Sequence, residues 1–210
     1  IMKKIFSFIF VLLIYIGANA QAPSIQWQKS LGGSTNEEAN SIQQTSDGGY
    51  IVAGYSTSND GDVTGNHGGY DYWVVKLNSS GTIQWQKSLG GTGDDLAHSI
   101  LQTADGGYIA AGYSYSNNGD VSNNHGYYDC WIVKLNAAGT IQWQKSLGGP
   151  DYDGANSIQQ TNDGGFARSS VADEGNDLAR FCDKRSFMKH GPTWFVRESN
   201  FTELDFALEG

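Results

Sequence analysis

The nonapeptide IQWQKSLGG stands at residues 25–33, 83–91 and 141–149 without a single exchange. The copies are 58 residues apart, and other positions keep the same period. Trp73 is matched by Trp131, His67 by His125, Ile42 by Ile100 and Ile158, and Asp47 by Asp105 and Asp163. A chain that repeats itself at such spacing is built from like units that bury their apolar faces on one another. Two units are complete, and a third can be followed to Phe166.

Each unit reads as four short strands. Residues 38–45 run into Asp47-Gly48, a hairpin signal because such residues accept positive φ. The segment 50–56 (YIVAGYS) is apolar on both faces, as in a strand buried between neighbouring sheets. After a long polar loop at 57–70, the segment 71–77 (DYWVVKL) is again β-branched and aromatic. The turn NSSG at 78–81 returns the chain into 82–89. There Ile83, Trp85 and Leu89 share one face and Gln84, Gln86 and Ser88 the other, an alternation that predicts an outer strand with one wet face. No sustained helical period occurs outside the first twenty residues.

Four antiparallel strands per repeat predict an all-β chain: a partial β-propeller with two four-stranded antiparallel blades and the start of a third. A β-solenoid is the competing architecture, with shorter units and fewer hairpins. The motifs WQKSLGG, SIQQTxDGGYIVAGYS and YDYWVVKLNSSG, recurring in that order, resemble the repeat of exported propeller-type proteins of Bacteroidetes. The resemblance covers about 21–166. It implies an extracellular or surface protein with many such units, often ending in a sorting domain for type IX secretion, and it carries over no catalytic residue. Closure of a propeller takes about four to eight blades, so this chain reads as a fragment whose missing blades lie in a longer protein.

Residues 1–20 read as a signal peptide: Lys3 and Lys4, an apolar run, then Ala18-Asn19-Ala20. About 12 apolar residues are too few to span a bilayer, so the expectation is a secreted or cell-surface product with no stable membrane insertion after cleavage. The net charge of −9 argues against a nucleic-acid partner, which needs clustered Lys and Arg. The domains are then a leader at 1–20, repeats at 21–166 and a divergent tail at 167–210. All four Arg fall in that tail, a change that reads as a frameshift or chimeric joint, with a genuine C-terminal segment as the alternative. Cys130 stands where the first unit has Tyr72. It reads as a buried thiol, with a bridge to Cys182 left open by the exported setting.

Candidate chemistry concentrates in the long loops. Asp60 and Asp62, with Asn118 and Asp120 in the second unit, have the close acidic spacing of a calcium loop, although Asn, Asp and Gly also make ordinary turns. Calcium is thus the one cofactor considered. His67 and His125 lack the further ligands of a zinc site and show no carboxylate partner, so each is expected to brace its own loop. Tyr55, Tyr70, Tyr113, Tyr115, Tyr127 and Tyr128 combine apolar rings with polar tips, suiting a sugar or peptide, with Tyr55, Tyr70, Tyr113 and Tyr127 the expected ligand contacts. The functional expectation is a binding or scaffold module for a polysaccharide or surface protein, with no enzymatic activity of its own. The alternative is the propeller portion of an extracellular hydrolase or lyase whose catalytic groups lie outside this chain.

Overall fold

The computed structural model describes residues 23–161, 164–172 and 193–196. The expected leader, Cys182 and most of the divergent tail lie outside the described residues. Two four-stranded antiparallel sheets follow one another in sequence. The first runs β1 (Glu37–Gln44), β2 (Tyr50–Ser56), β3 (Asp71–Leu77) and β4 (Ile83–Leu89). The second runs β5 (Asp95–Gln102), β6 (Tyr108–Ser114), β7 (Asp129–Leu135) and β8 (Ile141–Leu147). Both are meanders in which spatial order equals sequence order. A third sheet begins with β9 (Asp153–Gln160), paired to β10 (Phe166–Ala172), which pairs in turn with β11 (Thr193–Val196). The strand pattern therefore continues six residues beyond Phe166, into the stretch where the repeat sequence is lost.

The β1–β2 turn explains the repeated Asp-Gly-Gly. Gly48 takes φ +78°, and its counterparts Gly106 and Gly164 take +80° and +86°, a left-handed conformation that costs glycine little. Asp47 closes the turn by accepting from the Gly49 amide at 3.0 Å.

Two irregularities recur at fixed places. A bulge in β1 falls at Asn40, in β5 at His98 and in β9 at Asn156. A second bulge falls at Gln84 in β4 and Gln142 in β8. Bulges re-aim side chains, and these do so visibly. Asn40 donates across to Ala97 O in the next sheet at 2.9 Å, and Gln84 accepts from the buried Lys76 ammonium at 2.9 Å.

Successive sheets pack face to face. Ile51, Ala53 and Tyr72 of the first form one core with Ala97, Ile100, Ala110 and Trp131 of the second. Ile109, Ala111 and Cys130 meet Ala155, Ile158 and Phe166 in the same way. The Tyr72 hydroxyl donates to Trp131 O at 2.9 Å across the joint. Polar contacts repeat too: Ser41 Oγ accepts from Ile100 N, and Ser99 Oγ from Ile158 N, each at 3.2 Å.

The invariant nonapeptide marks these joints. Trp85, on edge strand β4, lies edge-on to Tyr108 at 5.6 Å and covers Gly139 in the next unit's β7–β8 turn. Trp27 repeats this on Tyr50 and Gly81, and Trp143 packs on Phe166. Of the expected wet face of β4, only Gln84 is exposed. Ser88 is buried and donates to Thr64 O at 3.1 Å. Gln86 accepts from Trp73 Nε1 at 3.0 Å and donates to Thr64 Oγ1 at 2.6 Å. The loop 57–70 folds back over that face, and Val63 from this loop is fully buried.

Candidate functional site

The long loops and the connections between units emerge at one end of the sheets, and the tyrosines collect there. Tyr113 is the penultimate residue of β6, Tyr115 follows the strand, Tyr127 and Tyr128 precede β7, and Tyr152 precedes β9. Their backbones are fixed: Tyr115 N–H donates to Asp94 O at 2.9 Å, Tyr127 N–H to Pro150 O at 3.2 Å, and Tyr128 bridges Tyr152. The rings form one cluster. Tyr113 contacts Tyr128 and Tyr152 at 5.2 Å, Tyr115 contacts Tyr127 at 5.4 Å, and Tyr127 meets Tyr128 at 4.7 Å. Tyr115 and Tyr127 stay 50% and 54% exposed, presenting ring faces that the repeat does not need for packing.

Comparison of the units explains the cluster's position. The first unit has Thr57 and Gly69 where the second has Tyr115 and Tyr127, and these are the only two exchanges that bring Tyr into the second unit. The third unit adds Tyr152 where the earlier ones have Asn36 and Asp94. Three departures from an otherwise copied sequence thus converge on one spot. Of the tyrosines expected to stack on ligand, the structure brings Tyr113, Tyr115, Tyr127 and Tyr128 together. Tyr55 and Tyr70 form a separate pair at 5.1 Å. That pair borders a depression of about 440 Å³, also lined by Leu31, Thr35, Asn36, Glu37 and Glu38.

Donation to Glu38, at 2.6 Å, pushes Tyr55 up to about 12, with burial adding to it. Burial, with the nearby Asp94 carboxylate, pushes Tyr128 up to about 12. His98, at the β5 bulge, stacks obliquely on Tyr113 at 5.1 Å. Burial lowers its pKa, only partly opposed by Glu38, and keeps the imidazole neutral beside the rings. Sequence reasoning named Tyr115 and Tyr128 among the loop tyrosines but missed Tyr152 and His98, which complete the cluster. The signal was available in the positions where one unit departs from another.

The candidate calcium residues have other partners. Asp60 Oδ1 accepts from Ser34 N at 2.8 Å and Asp62 Oδ2 from Gly32 N at 3.2 Å. In the second unit, Asn118 Oδ1 accepts from Thr92 N at 2.9 Å and Asp120 Oδ2 from Gly90 N at 3.3 Å. Asp62 and Asp120 tie their loops to the Gly-Gly of the preceding nonapeptide, and Asp60 and Asn118 to the residue just after it. Among the described residues no group of three or more His, Cys, Asp and Glu is placed to hold a metal ion.

The histidines do have carboxylate partners, contrary to the sequence reading. His67 Nδ1 lies 2.6 Å from Asp71 Oδ2, and the His67 amide donates to the same oxygen at 2.9 Å. His125 and Asp129 repeat both contacts at 2.6 and 2.9 Å. The spacing of four residues, copied in both units, was the overlooked sign. These pairs brace the loop ahead of β3 and β7, as expected of the histidines.

No protein-family model and no curated protein matches the chain.

Proposed function

We propose that the chain is part of a secreted or cell-surface β-propeller that binds a ligand at its loop end, within a longer protein that supplies the remaining blades. The tyrosine cluster carries this reading. Identical units need no exposed aromatic rings at positions where another unit manages with Thr and Gly, so the rings serve something outside the fold. Exposed ring faces with phenol tips suit the apolar faces and hydroxyls of sugar rings, which makes a polysaccharide the favoured ligand over a surface protein. The acidic neighbours Glu38 and Asp94 favour neutral or amino sugars over acidic ones. No reaction is assigned to the chain. A glycan array probed with the intact chain is the test. Binding to neutral polysaccharides is expected, and an array blank for every glycan class would remove the carbohydrate reading.

A further inference from the structure

The joints between units contain a feature that the ligand site does not use. Asp71 is fully buried, and both contacts from His67 fall on its Oδ2. Its Oδ1 is buried without a hydrogen-bond partner. A side chain added at Gly90 would press on Asp95 Oδ2 and lie 3.0 Å from that orphaned Asp71 oxygen. The two carboxyl groups, one from each unit, therefore crowd a space that only glycine leaves open. The second joint repeats the arrangement. Asp129 Oδ1 is buried without a partner, and a Cβ at Gly148 would lie 2.5 Å from both Asp129 Oδ1 and Asp153 Oδ2.

We propose that the first joint holds one proton shared between two carboxyl groups, those of Asp71 and Asp95. Two buried carboxylates facing each other repel, and one proton between them turns that repulsion into a hydrogen bond. The orphaned oxygen is then the hydroxyl donor. Other groups around the first pair fit this assignment. Asp95 Oδ1 accepts from Ser114 Oγ, and its Oδ2 from Gly91 N at 2.7 Å and Ser116 Oγ at 2.8 Å. His67 faces Asp71, Asp120 contacts the Gly90 amide, and the Tyr72 phenol lies within electrostatic range of Asp95. A divalent cation would need about six to eight oxygen ligands, and no acidic group of three stands there.

Burial pushes Asp71 up to about 6, against the opposing His67 contacts and with the Asp95 charge adding to it, and burial also raises Asp95. The folded state thus keeps a proton that the unfolded chain loses near pH 4. Stability from it is complete below that pH and is lost as pH rises through about 6.

Urea unfolding of the chain and of Asp71→Asn from pH 4 to 8 tests this. The Asn amide can donate to Asp95 as the protonated acid does, while its oxygen still accepts from His67. Relative to the variant, the wild-type unfolding constant is expected to rise about tenfold per pH unit across the window between the two pKa values. A ratio constant with pH overturns the proposal. Infrared spectroscopy of the wild type decides the matter even if the variant fails to fold. A protonated-carboxyl band persisting at pH 5.5 is expected, and its absence contradicts the shared proton. Calcium that stabilises the wild type at pH 7.5, but not the variant, would also overturn it, because the site would then hold a metal.

Discussion

Lys76 and Lys134 are buried within β3 and β7, strands that are otherwise apolar apart from their first residues, Asp71 and Asp129. Lys76 Nζ meets Asp47 Oδ2 at 2.8 Å, Leu77 O at 3.0 Å and Gln84 Oε1 at 2.9 Å, which uses all three donors. Lys134 repeats this with Asp105, Leu135 O and Gln142. The two partners are unequal, because the Asp47 side chain is 52% exposed while that of Lys76 is 4% exposed. Removing the lysine leaves a carboxylate that water can solvate; removing the carboxylate leaves a buried ammonium. Asp47→Ala is therefore expected to cost about 2–3 kcal/mol and Lys76→Met about 1 kcal/mol in urea unfolding. Equal costs would contradict the asymmetry. The contacts with Lys134 and Thr103 outweigh burial to hold Asp105 down at about 2. Its contribution is present above the ordinary Asp value and is lost as pH falls through about 2, so Lys134→Met is expected to flatten the acid limb of the stability profile. The sequence showed Asp47 and Asp105 only as turn residues. Their lysine partners, 29 positions away, could not be read without the register of β3 against β1 and β2.

At the scale of elements, the strands were legible because their alternation and their Asp-Gly turns are local signals. β2 and β3 fall where the pattern placed them. The edge position of β4 was legible too, but not its second face, because burial there comes from a loop folding back over 22 to 24 residues. That loop looks polar in sequence, and Asn59, Asp60 and His67 do stay exposed, but its Val63 is buried and its Thr64 accepts from Gln86 and Ser88 of β4. The docking role of the nonapeptide gives a direct test. Trp85 stacks over Gly139, which has φ +76° and would bring a Cβ 2.9 Å from the indole. Gly139→Ala is thus expected to destabilise twice over, by left-handed strain and by displacing the tryptophan, for about 1–3 kcal/mol in total. Gly106→Ala, at φ +80° with nothing within 4 Å of its Cβ, isolates the strain alone and is expected to cost about 1 kcal/mol. Thermal or urea unfolding of both variants checks the difference, and equal losses would argue against docking by Trp85.

Over the whole molecule, the repeat makes one position informative by its exception. Ile100 and Ile158 are each 3% exposed, whereas their counterpart Ile42 is 63% exposed. The later two are covered by the unit before them, and Ile42 has no such cover among the described residues. Ile100→Asp is expected to destabilise by about 3 kcal/mol or more, while Ile42→Asp should stay within about 0.5 kcal/mol. The stacking of units was legible in the period itself. The proposed ligand face was legible only as a set of loop tyrosines, because Tyr115, Tyr127 and Tyr152 are scattered along the chain and meet only when three connections converge. The most direct test of the account is to return the second unit to the pattern of the first at that face. The double variant Tyr115→Thr, Tyr127→Gly should keep the wild-type unfolding midpoint and lose at least tenfold in affinity for the best glycan on the array. Unchanged affinity in a folded double variant would contradict the claim that these rings form the binding face.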